Sequence, residues 1–130
     1  MIIGIGHDVI EIRRIDRTLQ QRYGDLFMRR VLTQAEYDYA QEKANGRLTE
    51  FVAGRFAAKE AVVKAFGSGI GRKTGFQDVE IMPDEQGKPV CTLSESALQR
   101  LGMANVPLHI HISITHSESL ASAFSVIEKN

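Results

Sequence analysis

Tryptophan is absent from the 130 residues, cysteine occurs once and proline three times. The lone Cys91 excludes an internal disulfide and cannot by itself build a thiolate metal site, so it reads as a packing residue. No apolar run approaches the roughly 18 residues that a membrane helix needs. The opening Met1-Ile2-Ile3-Gly4 has neither the basic start nor the small-residue cleavage site of a secretion signal, and the expectation is a cytoplasmic chain with no membrane partner. Net charge is missing too, because 16 Lys and Arg balance 16 Asp and Glu. Nothing global therefore argues for nucleic acid.

What is present suffices for one core. With 43% hydrophobic and 25% charged residues the composition is that of a globular chain, and residues 1–130 are expected to form a single domain. Charge is unevenly placed. Residues 11–32 hold Arg13, Arg14, Arg17, Arg22, Arg29 and Arg30 against Glu11, Asp16 and Asp25, a basic segment suited to an acidic partner.

Hydrophobic periodicity predicts a strand over residues 2–12 running into a helix over about 11–23, where Ile12, Ile15, Leu19 and Tyr23 keep helical spacing. Thr33 with Glu36 forms a capping box for a helix over about 34–44, and Asn45-Gly46 breaks it. The longest helix is predicted over 48–66, on the recurrence of Phe51, Val52, Phe56, Val62, Val63 and Phe66. Strands follow at 76–82 and 89–93 around the turn 84–88, then a helix from Ser94 to about Leu101. A hairpin of 108–116 and 120–128 ends the chain. The fold class is α+β, a mostly antiparallel sheet with helices packed on it.

Several residues are hard to explain as packing. In an extended segment Asp8 shares a face with Ile10 and Ile12, where a carboxylate is costly without a partner, although a turn acceptor or helix cap explains an Asp there as well. Glu60 and Lys64, four apart on the long helix, form either a surface ion pair or a metal-and-phosphate pair over the small residues Ala53, Ala57 and Ala61. Along the last-but-one strand the even positions Ile110, Ile112 and Ile114 are apolar, and His116 falls on their parity as either a structural residue or one at the mouth of a site. His109 and His111 share the other face, which leaves open a zinc site with His116. The loop Gly67-Ser68-Gly69-Ile70-Gly71-Arg72-Lys73 is glycine-rich and basic, as a phosphate cradle would be, and lacks the Walker pattern. A helix C-cap explains Gly67 equally well.

Three segments in order resemble the holo-acyl-carrier-protein synthase family. They are Gly4-Ile5-Gly6-His7-Asp8-Val9-Ile10-Glu11-Ile12 with Arg14-Ile15; the run Arg55-Phe56-Ala57-Ala58-Lys59-Glu60-Ala61-Val62-Val63-Lys64-Ala65-Phe66-Gly67-Ser68-Gly69-Ile70-Gly71; and Ser113-Ile114-Thr115-His116 with Ala121-Ser122-Ala123. The resemblance implies a phosphopantetheinyl transferase fold. It also implies a magnesium-dependent transfer of the 4′-phosphopantetheine arm of coenzyme A to a serine of acyl carrier protein, in support of fatty acid biosynthesis. By the same likeness Asp8 and Glu60 hold magnesium, with Lys64 as a third catalytic group contacting the coenzyme's phosphates and His116 in the same cleft. Arg47, Arg55, Gly67, Ser68, Lys88 and Pro89 are implied to meet coenzyme A. Arg14, Arg17 and Arg22 would receive the acidic carrier. The family likeness further implies a homotrimer with active sites between chains. A zinc enzyme and a non-catalytic binding module are the rival readings.

Overall fold

The computed structural model describes all of residues 1–130. Strand β1 (Ile2–Glu11) alternates its side chains, so that Gly4, Gly6, Asp8 and Ile10 face one way while Ile3, Ile5, His7 and Val9 face the other. The helix expected over 11–23 forms as α1 (Ile12–Leu19), and a second helix, α2 (Gly24–Val31), follows where the sequence suggested none. A Cβ on Gly24 would lie 2.1 Å from the Leu19 carbonyl oxygen, so glycine there lets the chain fold back and begin a second helix. Helix α3 (Gln34–Lys43) starts at the expected capping box: Glu36 N–H donates to Thr33 Oγ1 at 3.3 Å, and Thr33 N–H to Glu36 Oε1 at 2.7 Å.

After Asn45 (φ 43°) and Gly46 (φ 83°) the chain enters α4 (Leu48–Ala65). A turn of 3₁₀ helix (Phe76–Asp78) precedes β2 (Val79–Pro83), where the sequence suggested one continuous strand. Strand β3 (Pro89–Leu93) returns through a turn in which the Asp84 carboxylate accepts from Gln86 and Lys88 N–H and Gly87 takes φ 84°. Helix α5 (Glu95–Arg100) is capped by Ser94, and β4 (Leu108–His116) and β5 (Leu120–Lys129) form the last hairpin.

All strand pairings are antiparallel. One sheet has the order β1–β5–β4, and β2–β3 form a separate ribbon. Helix α4 lies on the three-stranded sheet, packed against β1, β5 and β4, with α1, α2 and α3 against its other flanks. A core of Ile10, Val52, Ala57, Ala61, Val62 and Ala123 fills the space between. The architecture is the expected α+β class with antiparallel sheets.

The close approach of α4 to β1 sets everything that follows. A Cβ on Gly4 would stand 1.8 Å from the Ala65 carbonyl oxygen, and one on Gly6 1.8 Å from that of Ala61. The helix therefore sits on backbone. This corrects the reading of Ala53, Ala57 and Ala61 as an open floor for a ligand: all three are fully buried under the sheet. The other face of the sheet is uncovered, leaving Ile3, Ile5, Val9 and Phe124 exposed, with His7 stacked on Phe124 at 4.0 Å between ring centroids.

Candidate active site

Asp8 lies on β1 opposite Ala123 of β5, on the face turned toward α4. Gly4 and Gly6 on β1 bring α4 close enough for Lys64 Nζ to reach Asp8 Oδ1 at 3.0 Å and the His7 carbonyl at 3.1 Å. The Asp8 side chain is 18% exposed and that of Lys64 52% exposed, so the pair sits at the rim of the crossing. Glu60, one helical turn before Lys64, is half-buried. Burial pushes its carboxyl pKa up, and the Asp8 charge pushes it further, while Lys64 draws it back. Asp8, Glu60 and Lys64, from segments about fifty residues apart, thus share one electrostatic cluster.

The chemistry of that cluster suits a small hard cation. Burial first and the Asp8 charge second raise the cost of ionising Glu60, a burden a cation relieves. No third His, Cys, Asp or Glu joins them, which leaves coordination positions for phosphate and water, the arrangement magnesium prefers over a closed protein cage. Lys64 uses two of its three N–H donors on Asp8 and His7, and its exposed side leaves the third for an anion.

A second feature lies elsewhere. A cavity of about 350 Å³ is lined by Tyr39, Lys43, Arg47, Arg55, Pro89 and His116, among others. It joins the start of α4, the end of α3, the β2–β3 turn and the end of β4. Arg55 is held by a bond from Nε to the Ile81 carbonyl at 2.9 Å and lies over the Phe51 ring at 4.5 Å, and its burial lowers its pKa. Four of the expected coenzyme-binding residues meet here. Lys88 is exposed on the adjoining turn and does not line the cavity, whereas its neighbour Gly87 does. Tyr39, Lys43 and Phe51 were missed, although Lys43 and Arg47 as a basic pair around the Asn45-Gly46 break were a readable signal.

Neither Asp8, Glu60 nor Lys64 lines this cavity. The order β1–β5–β4 puts Asp8 and His116 on opposite outer strands, about 10 Å apart across the sheet, with α4 lying over them. Within one chain His116 thus lines the cavity while the carboxylates stand at the crossing of β1 and α4. Gly67 and Ser68 form a third feature, a shallow basic depression with Gly69, Arg72 and Lys73, where the Ser68 hydroxyl has no protein partner. Arg14, Arg17 and Arg22 are exposed and enter none of the ion pairs, and Tyr23 and Leu26 beside them expose large apolar surfaces. His109 and His111 stack at 5.9 Å between ring centroids on the sheet face away from α4, where His111 pairs with Glu128 at 3.0 Å, but His116 lines the cavity and no group of three ligands forms for zinc.

Residues 4–121 match the 4′-phosphopantetheinyl transferase superfamily. A holo-(acyl-carrier-protein) synthase of Bacillus cereus strain B4264 is 45% identical over 130 residues, all of this chain and 98% of that one. The crystal structure of a holo-(acyl-carrier-protein) synthase from Bacillus anthracis strain Ames, in complex with CoA (3′,5′-ADP), superposes with a TM-score of 0.82 at 44% identity, covering 100% of this chain and 99% of that one. The Helicobacter pylori synthase in complex with coenzyme A gives a TM-score of 0.81 at 31% identity, over 95% and 99% of the two chains.

Proposed function

The chain belongs to the 4′-phosphopantetheinyl transferase superfamily, and we propose that it works around a magnesium ion held by Asp8 and Glu60. As a holo-acyl-carrier-protein synthase it transfers the phosphopantetheine arm of coenzyme A to apo acyl carrier protein and releases adenosine 3′,5′-bisphosphate. The observation that carries the metal reading is the Asp8–Glu60–Lys64 cluster at the crossing of β1 and α4.

In the transfer, the carrier's serine oxygen attacks a pyrophosphate phosphorus and the bond to the nucleotide phosphate breaks, so negative charge gathers on phosphate oxygens. Magnesium, when bound, neutralises that charge. Lys64 supplies a fixed point charge beside it, its ammonium already oriented by Asp8 and the His7 carbonyl. Asp8 and Glu60 contribute two oxygens without enclosing the site. Arg47, Arg55 and His116, with Pro89 as a wall, hold the nucleotide end in their cavity, and Lys88 reaches it from the turn. Gly67 and Ser68, in the basic depression, take a phosphate-side contact of the coenzyme. Arg14, Arg17 and Arg22, with exposed Tyr23 and Leu26 between charges, receive the acidic carrier.

The separation of the cavity from the carboxylates is explained by assembly: the proposal is a homotrimer in which one chain's cavity meets a neighbour's Asp8 and Glu60. The apolar sheet face of Ile3, Ile5, Val9 and Phe124 is the surface that such an assembly would cover. The same reading takes residues 1–130 as one transferase domain, supported by the single large core. It also places the protein in the cytoplasm; no helix is long and apolar enough to cross a membrane.

The test is incubation with coenzyme A, magnesium and apo acyl carrier protein, followed by intact mass measurement. One phosphopantetheine is gained, and chelation abolishes the gain. Full activity in chelator would refute the metal reading.

A further inference from the structure

The residue before Glu60 is one half of a fully buried ion pair. Lys59 and Glu36 both have no exposed side-chain surface, and their ion pair measures 2.6 Å. All three Lys59 donors are used, on Glu36 Oε1 at 2.6 Å, the Val31 carbonyl at 2.8 Å and the Phe76 carbonyl at 3.0 Å. Glu36 in turn accepts from Thr33 N–H and from Ile81 N–H, each at 2.7 Å. One ammonium therefore ties α4 to the end of α2, the start of α3, the 3₁₀ turn and β2.

From this geometry we propose that Lys59 is a positioning residue, fixing the rotation of α4 about its own axis so that Glu60 and Lys64 meet Asp8. The directional bonds between α4 and β1, from Lys64 Nζ to Asp8 Oδ1 and the His7 carbonyl, belong to the site being positioned, and the rest of that contact is backbone and small side chains. Gly4, Gly6 and the alanines set how deeply the helix lies on the sheet, and a floor of methyl groups and backbone offers little resistance to rolling. Side chains reach about 5–6 Å from a helix axis, so a roll of about 10° carries a carboxylate about 1 Å. A displacement of that size matters at a site where a cation and a phosphate must be held together. Lys59 and Glu60 are consecutive, about 100° apart around the helix, so a directional anchor on one sets the direction of the other.

The inference rests on the metal reading of Asp8 and Glu60, and the experiment separates the two. Lys59→Met strands a buried carboxylate and is expected to lose folding. Glu36→Asp is therefore the deciding variant: it keeps the charge pair but shortens the carboxylate by one methylene, drawing the ammonium toward α3. Expected for the folded variant are a drop in kcat of about 10- to 100-fold, a KM for coenzyme A within about threefold of wild type, and Mn²⁺ binding weakened several-fold, read by electron paramagnetic resonance without substrate. A purely structural role predicts losses that follow the folded fraction alone. The proposal is overturned if folded Glu36→Asp matches wild type in both kcat and Mn²⁺ affinity to within about twofold. Equal Mn²⁺ binding by wild type and Asp8→Asn would sink the metal reading instead, and the split between kcat and KM would still decide the role of Lys59.

Discussion

Glu60 carries a cost that the free chain does not repay in full. Glu60 has its carboxyl pKa raised above the ordinary 4.5 by burial first and by Asp8 second. For an acid with a raised folded pKa, the charged form disfavours folding. In chelator that penalty is absent below about pH 4.5, grows as pH rises, and is complete above the folded value. Glu60→Gln should therefore melt at the same temperature as wild type or higher at neutral pH, with the difference vanishing as pH falls toward 4.5; thermal melts across pH check this. The same substitution, and Asp8→Asn, should lower turnover by about 10²- to 10³-fold in magnesium. A second residue-scale prediction concerns Cys91, whose burial pushes its thiol up to about 12. It should resist a thiol-specific reagent at pH 8 in the native protein and react fully in denaturant.

At the scale of elements, the crossing of β1 and α4 is the feature on which the site depends. Gly6→Ala would put a methyl carbon 1.8 Å from the Ala61 carbonyl oxygen, a clash with backbone that no rotamer relieves. We expect about 3 kcal/mol of destabilisation in urea titration, and a loss of activity larger than the unfolded fraction explains, since the helix must lift Glu60 and Lys64 away from Asp8. The helix itself was legible, as were the capping box at Thr33 and the β4–β5 hairpin, because periodicity and caps are local. Helix α2 was not: its start depends on how near Gly24 comes to the Leu19 carbonyl, which no spacing reveals. Gly4 and Gly6 are legible in sequence as part of the first family segment, but not for what they do. Only the structure shows them as the gap that admits α4. Lys59 shows the same limit more sharply, since its partners lie 28, 23 and 17 residues away and a lysine at that position reads as surface.

At the scale of the whole molecule, the open question is why a chain with an arginine-lined cavity and a carboxylate cluster keeps them on opposite outer strands of one sheet. The homotrimer proposed above would answer it, and it makes a prediction that activity within one chain does not. Asp8→Ala and Arg55→Ala each disable one half-site, and each homotrimer should be nearly inactive. When the two are co-expressed, some interfaces pair the intact Asp8 of an Arg55→Ala chain with the intact cavity of an Asp8→Ala chain. For random mixing in a cyclic trimer that occurs at about a quarter of the interfaces, so activity should return to about a quarter of wild type. If each site is complete within one chain, mixing restores nothing. Ile5→Asp on the exposed sheet face supplies the companion measurement: light scattering should show a folded monomer, and that monomer should be inactive even though both of its half-sites are untouched.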